Sequence, residues 1–223
     1  MRVAWKVCVA ELIGTFALCF ISAGAVCTNV QSNGALGLTG IALAGGLVLS
    51  IAVSSTLVIS GGQLNPAVTL ALYATGRIKR FDQAAQYLVS QLVGGAVAGF
   101  CLKAIFTEAV WRKARLGTPV LGPGVSQGTG IFVETILGFL LVFAFYATTI
   151  DAHAPKLGGF GIGLTYAFGV LMGGPLTGAA MNPARAFGPA LAARSWDHHV
   201  VYWIGPVLGG LLAGLVYDRF LRK

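Results

Sequence analysis

Six long apolar runs alternate with short polar segments along this chain, and each run approaches the length of a membrane-crossing helix. They cover residues 5–27, 37–59, 83–105, 130–150, 159–174 and 199–218. A helix needs about 20 apolar residues to cross the hydrocarbon layer. Two further apolar runs, 66–75 and 183–193, are too short to span. Short helices at membrane depth occur only where they line a cavity or are buried in protein. The pattern therefore predicts an all-α membrane protein with six transmembrane helices and two short internal ones.

The two halves of the chain repeat each other. AELIGTFALCF, from Ala10, aligns with VETILGFLLVF, from Val133, and YLVSQLVGGAVAG, from Tyr87, aligns with YWIGPVLGGLLAG, from Tyr202. Each half then has three spans and one short helix. Because three is odd, the halves insert in opposite directions, which makes an inverted repeat with its site near the midplane. The predicted organisation is one domain, 1–223, with repeats at about 1–110 and about 128–223.

Paired glycines also recur at matching places of the two repeats. Gly95 and Gly99 lie four residues apart, as do Gly210 and Gly214. Small residues at this spacing let helix backbones approach closely, so we predict a packing role and no chemical one.

The amino-acid composition supports a membrane protein and argues against a nucleic-acid partner. The chain is 56% hydrophobic and 10% charged, whereas soluble domains carry about 25% charged residues. The net charge of +8 forms no stripe and no aromatic-basic motif, so no nucleic-acid partner is expected. Basic residues flank the spans instead. We expect the face with more basic residues, which also holds both termini, to be cytoplasmic. That face holds Arg2, Lys6, Arg77, Lys79, Arg80, Lys156, Arg219, Arg222 and Lys223, and the opposite one Lys103, Arg112, Lys113, Arg115 and Arg194. We also expect the protein to lie in the cell membrane.

The tripeptide Asn-Pro-Ala occurs twice, in GGQLNPAVTL (61–70) and GAAMNPARAF (178–187). Asn is a strong N-cap residue, and Pro suits the first helical turn. Each short helix is therefore predicted to begin at its motif, and the inverted repeat directs the two positive ends at each other. The amides of Asn65 and Asn182 then face one space, where they repel cations, orient a water oxygen and interrupt a proton wire. The motif residues are Asn65, Pro66, Ala67, Asn182, Pro183 and Ala184.

With these motifs, six spans, and Glu11 and Glu134 at matching positions, the chain resembles the aquaporin, or major intrinsic protein, family over essentially its whole length. The resemblance implies an aquaporin-like fold, in which the short helices are re-entrant, with a pore in each subunit of a homotetramer embedded in lipid. It also implies that Glu11 and Glu134 support the re-entrant loops, although a charged group in a span is also a candidate proton relay. No cofactor, metal site or catalytic residue is expected, because no nucleophile–base pair, metal-ligand cluster or phosphate loop occurs.

Arg185 directly follows the second motif, where the first has Val68. An arginine near membrane depth is costly unless water solvates it, so a pore-lining cation is predicted. A guanidinium held by loop carbonyls is the alternative, and both can hold together. The resemblance completes the selectivity filter with Gly45, Val170 and Ala179. Strictly water-selective relatives usually have an aromatic residue and a histidine at the first two positions, so Gly45 and Val170 predict a wider opening with one apolar wall.

The predicted function is a passive channel for water and small uncharged solutes that excludes protons and ions. The wide filter fits glycerol and the metalloid hydroxides arsenous, boric and silicic acid. The stretch GGPLTGAAMNPARAFGPAL resembles the nodulin-like intrinsic proteins, and the filter resembles the aquaglyceroporins. Ala186, in place of the Asp of glycerol facilitators, and the Tyr202-Trp203 pair disagree with a glycerol channel. A strictly water-selective aquaporin and a closed-pore structural protein are the alternatives.

His153, His198 and His199 are interpreted as solvated loop residues rather than a pH sensor.

Overall fold

The computed structural model describes residues 5–153 and 157–222, and every regular element within these ranges is helical. Arg2, Lys156 and Lys223, which the charge pattern assigns to the cytoplasmic face, lie outside the described residues. Six helices are long and apolar enough to cross a membrane. They are α1 (Trp5–Gln31), α2 (Gly37–Ser60), α4 (Phe81–Ile105), α6 (Gln127–Phe145), α7 (Phe160–Thr177) and α9 (Val201–Val216). Helices α6 and α9 each continue into a wider π turn, Tyr146–Ile150 and Tyr217–Leu221. The predicted fold class is confirmed.

Two short helices begin at the repeated motifs, as predicted. They are α3 (Pro66–Ala74) and α8 (Pro183–Ala193). A further short helix, α5 (Glu108–Ala114), lies in the third loop and was not predicted. Its apolar residues Val110 and Trp111 pack on a small buried cluster that includes Cys27 and Leu116. A search for long apolar runs misses such a helix, because it is short and its other face is charged.

Each half is a three-helix unit, and each short helix packs against the opposite half. Helix α1 contacts α2 and α4, and α6 contacts α7 and α9 in the same way, while α2 and α7 join the halves. Helix α3 lies against α9, and α8 lies against α4. The exchange ties the two halves together and brings the starts of α3 and α8 to the centre of the molecule.

The paired glycines are where the short helices approach the spans. A Cβ atom added at Gly99 would lie 2.5 Å from the carbonyl oxygen of Gly188, and one at Gly210 would lie 3.0 Å from that of Ala67. Because those neighbours are backbone atoms, no side chain fits between the helices. The packing role predicted for these glycines is confirmed.

The outer surface of the bundle is apolar, with large side chains such as Ile51, Val58, Phe132 and Phe168 exposed along the spans. A soluble protein seldom exposes so large an apolar surface. Six apolar spans and this surface identify an integral, multi-pass membrane protein.

Candidate functional site

The two short helices begin with the same cap. Asn65 Oδ1 accepts a hydrogen bond of 2.9 Å from the Ala67 amide, and Asn182 Oδ1 accepts one of 2.9 Å from Ala184 and one of 3.3 Å from Arg185. The proline after each asparagine occupies the first helical position, where its missing N–H costs nothing. The cap chemistry expected from Asn-Pro-Ala is therefore present at both helix starts.

The asparagine amides cross between the two halves. Asn65 Nδ2 donates to the carbonyl oxygen of Met181 at 2.9 Å, and Asn182 Nδ2 donates to that of Leu64 at 2.8 Å. An amide NH₂ group has two hydrogens. One hydrogen of each asparagine thus fixes the side chain to the opposite loop, and the other remains for a molecule between the helix ends.

Glu11 holds the loop before α3. Its carboxylate accepts hydrogen bonds from the amides of Gln63 (3.0 Å) and Leu64 (2.7 Å), from Ser60 Oγ (2.6 Å) and from Gln91 Nε2 (2.8 Å). Leu64 has a φ of 52°, a left-handed conformation that costs a non-glycine residue about 1 kcal/mol or more. The hydrogen bonds that the consecutive amides of Gln63 and Leu64 donate to this carboxylate offset that cost and fix the chain entering the motif.

Glu134 does the same in the second half. It accepts from the amides of Ala180 (2.9 Å) and Met181 (2.8 Å) and from Thr177 Oγ1 (2.7 Å). Met181 has a φ of 53°, which matches its counterpart before the first motif. All four oxygens of the two glutamates accept at least one donor, which is the arrangement a loop support requires.

Sequence reasoning missed the residues that complete this support. Tyr87 donates to the carbonyl oxygen of Ser60 at 2.8 Å, and Tyr202 donates to that of Thr177 at 2.9 Å. The repeat alignment already pairs Tyr87 with Tyr202, and Ser60 and Thr177 each precede their asparagine by five residues. The signal was present in the repeat, although no single motif contains it.

Arg185 directly follows the second motif on α8 and is 4% exposed. Its Nη1 donates to the carbonyl oxygen of Gly117 at 2.8 Å, while Nε has no partner among the described residues. The side chain also lines an outer cavity of about 320 Å³, together with Lys113 and Arg115. Arg185 is thus held by a loop carbonyl and borders the outer cavity, while its role in lining a pore stays a prediction.

Gly117 is the residue that lets this carbonyl reach Arg185. Its φ is 70°, and a Cβ atom there would lie 2.6 Å from the Cα and the carbonyl oxygen of Ala23. The loop is therefore pressed directly onto α1. No spacing in the sequence relates Gly117 to Arg185, which is 68 residues further along the chain.

An inner cavity of about 10 Å³ lies beside the two asparagines. A space of roughly this size holds a single water molecule. Its polar lining comes from Gln63, Asn65, Tyr166 and Asn182. The remaining walls are apolar and comprise Leu18, Leu49, Val53, Val68, Leu141, Phe145 and Ile162. A molecule here thus meets few hydrogen-bonding groups besides the asparagine amides.

Of the four filter residues expected from the resemblance, two line the outer cavity and two do not. Val170 and Arg185 line the outer cavity together. Gly45 is buried on α2, and Ala179 is buried in the loop before the second motif. Neither belongs to the lining of the inner or the outer cavity. The side chain of Tyr166 instead lines both cavities. Sequence reasoning missed this residue, although it precedes Val170 by one helical turn.

The three histidines lie in loops. His153 and His198 are exposed. His199 packs edge-on against Trp196 and Tyr202, with ring centroids 4.8 and 6.2 Å away. Burial lowers the pKa of His199 below its ordinary value, so the ring is neutral at pH 7. The expectation of solvated loop residues describes the first two but not His199.

Known proteins match this chain over nearly its full length. The family model "Major intrinsic protein" matches residues 2–217. Aquaporin TIP4-4 of Zea mays is 48% identical over 219 residues, which cover 94% of this chain and 84% of the relative. Aquaporin TIP4-1 of Arabidopsis thaliana is 40% identical over 223 residues, covering 97% and 86%.

A solved structure has the same fold. The X-ray structure of the aquaglyceroporin from Plasmodium falciparum superposes with a TM-score of 0.86 and covers 98% of this chain and 97% of its own. At 20% identity, that likeness supports the fold alone. The family match and the TIP relatives establish what the chain is: it belongs to the major intrinsic protein family of membrane channels for water and small solutes, and it is not an enzyme.

Proposed function

We propose that this chain is a passive water channel that excludes protons and ions. The observation that carries the proposal is the inner cavity, a water-sized space with apolar walls beside Asn65 and Asn182. A water molecule there accepts hydrogen bonds from both asparagines, so its oxygen is already committed. It cannot also pass a proton along a continuous chain of waters.

Electrostatics supports the exclusion of ions. The positive ends of α3 and α8 lie beside the same space, and each contributes roughly half an elementary charge. Arg185, Lys113 and Arg115 border the outer cavity, so a cation meets positive charge before it reaches the asparagines. An anion must lose its hydration shell to enter the water-sized inner cavity, where most walls are apolar and replace few of the lost hydrogen bonds.

The filter alone favours larger solutes, and its surroundings favour water. Gly45, Val170 and Ala179 are small or apolar, which is the basis of the second candidate function, conduction of glycerol or of arsenous, boric or silicic acid. The ring of Tyr166 lies in the space that Gly45 leaves, because a Cβ at position 45 would be 2.5 Å from Tyr166 Cε1. We therefore propose water as the main permeant.

Light scattering by proteoliposomes tests both candidates. The purified protein is reconstituted, and vesicles are exposed to gradients of sucrose, glycerol or arsenous acid. We expect shrinkage faster than in empty vesicles and no faster re-swelling with glycerol or arsenous acid. Rapid re-swelling supports the second candidate instead, and shrinkage no faster than that of empty vesicles contradicts a channel.

Replacing Arg185 by methionine is expected to retain water conduction and to admit protons or cations. Methionine keeps much of the length but removes the charge, and a unit charge several ångströms away contributes more than about 1.4 kcal/mol at an effective dielectric of about 20. Proton leak, measured with a pH dye inside vesicles under a potassium-driven voltage, should rise about tenfold or more.

The matched control is Arg112→Met, since Arg112 is exposed and paired with Glu108 at 2.7 Å. It should leave both fluxes unchanged. If the Arg185→Met channel still excluded protons and cations, the helix ends alone would be sufficient for that exclusion.

We further propose a homotetramer with both termini in the cytoplasm, located in the cell membrane. The family resemblance supports the tetramer, and Arg77, Arg80 and Arg219 on the terminal side support the orientation. Native mass spectrometry tests the subunit number, protease access to a C-terminal tag tests the orientation, and a fluorescent fusion tests the membrane. A monomer would contradict the tetramer, and cleavage of the tag by protease added to intact cells would contradict the orientation. Fluorescence confined to internal membranes would contradict a location in the cell membrane.

A further inference from the structure

We propose that Tyr166 sets the size limit of the pore, because its ring fills, from α7, the space that Gly45 leaves open on α2. The inference deepens the water channel proposed above and rests on it. It assigns the solute limit to a residue outside the four expected filter positions.

Tyr166 lies between the outer cavity and the asparagines. Among the described residues, it is the one side chain that borders both the outer and the inner cavity. It is 1% exposed, and Val170 follows it one turn later on the same helix, toward the outer cavity. A molecule moving between the two cavities therefore passes the Tyr166 ring.

Gly45 and Tyr166 compete for one space. A Cβ at position 45 would lie 2.5 Å from Cε1 and 3.3 Å from Cδ1 of Tyr166, and 3.5 Å from Cβ of Ser22. The first distance is far inside van der Waals contact. Any side chain at position 45 would therefore displace the tyrosine. The glycine accommodates the ring of a neighbouring helix and does not create an empty opening.

The hydroxyl of Tyr166 differs from those of the other deeply buried tyrosines. Tyr87, Tyr146 and Tyr202 each hydrogen bond to a protein oxygen, at 2.8, 2.7 and 2.9 Å. No such partner is found for Tyr166 Oη among the described residues. The hydroxyl belongs to a residue that lines both cavities, so water in the passage can supply its hydrogen bond.

Other polar atoms without partners lie around the same passage. Ser22 Oγ, Thr118 Oγ1 and Arg185 Nε have no hydrogen bond with any described residue, and all three side chains line the outer cavity. These three atoms are buried behind the cavity wall, while Val170 forms an apolar part of that wall. The ring edge of Tyr166 limits the width of the passage, and its hydroxyl can hydrogen bond to the water that passes.

The direct test replaces Tyr166 by valine in proteoliposomes. We expect glycerol permeability to rise about tenfold, which is the order of discrimination that a few methylene-sized groups give in a tight site. Water permeability should stay at least at the wild-type level. Tyr166→Leu, which keeps more of the packing volume, is measured alongside in case the valine variant does not fold.

A second-site change tests the competition for space. Gly45→Phe with Tyr166→Val moves the aromatic ring from α7 to α2, so glycerol exclusion should return. Gly45→Phe alone places two rings in one space and should reduce the water flux. The effects of the two changes are then strongly non-additive, as expected for residues in contact.

Two variants serve as controls. Tyr166→Phe keeps the ring and should keep glycerol excluded. Phe168→Val removes a ring from the same helix at a position 64% exposed on the outer surface, and it should change neither flux.

The outcomes separate the two proposals. Wild-type protein that does not conduct water, or that conducts glycerol freely, contradicts the proposed function. If the wild type conducts water and excludes glycerol, but every folded Tyr166 variant still excludes glycerol, the inference about Tyr166 is overturned while the water channel stands.

Discussion

Replacing Glu134 by alanine is expected to prevent the loop before α8 from folding, and with it the channel. The change removes the acceptor for the amides of Ala180 and Met181 and for Thr177 Oγ1. Each buried donor left without a partner costs about 1–3 kcal/mol, so the loss is on the order of 5 kcal/mol. That is comparable to the whole stability of many proteins.

The loss is measured as the midpoint of thermal unfolding in detergent, followed by size-exclusion chromatography, and as water flux in vesicles. Glu134→Gln retains one carbonyl acceptor and should fall between alanine and wild type. Glu108→Ala is the control, because this exposed carboxylate is paired with the exposed Arg112. A Glu134→Ala protein that unfolds at the wild-type temperature would mean that the carboxylate does not support the loop.

Replacing Gly188 by leucine is expected to separate α8 from α4 and abolish water flux. An added Cβ at Gly188 would overlap the carbonyl of Gly95 and lie 2.8 Å from its Cα. Neither backbone can yield without moving a helix, and overpacking of this kind typically costs 1–3 kcal/mol or more. Because Asn182 caps α8, a displaced helix also moves the asparagine amide and Arg185 at the passage.

Two glycine-to-alanine variants, one at the α4–α8 approach and one away from it, measure how tightly these helices pack. Gly188→Ala should lower the unfolding midpoint and the water flux. Gly128→Ala, in the first turn of α6, should be neutral or stabilising by up to about 1 kcal/mol, since helix propensity favours alanine. The added methyl at Gly128 would meet only Ser126 Oγ, at 3.9 Å. Equal effects of the two changes would show that the α4–α8 approach is not tight.

Local patterns in the sequence were enough to predict the six spans and the starts of the two short helices. Span length follows from hydrophobic length, and the cap follows from the chemistry of Asn65 and Asn182 with the prolines that follow. The repeat supplied the relation between the halves, which pairs Glu11 with Glu134 and the α3 contacts with the α8 contacts. Helix α5 was missed because it is short and amphipathic, and the cluster it packs on includes residues distant in the sequence, such as Cys27 on α1 and Leu102 on α4.

The sequence by itself determined that two capped helices meet inside a six-helix membrane bundle, since lipid leaves few other ways to satisfy backbone groups. Only the tertiary structure decided what narrows the passage between the cavities. Gly45 read alone predicts a gap, and the gap is filled by Tyr166 from another helix, while Arg185 is held by Gly117 from a distant loop. Such contacts depend on the rotation and packing of whole helices, and no spacing along the chain encodes them.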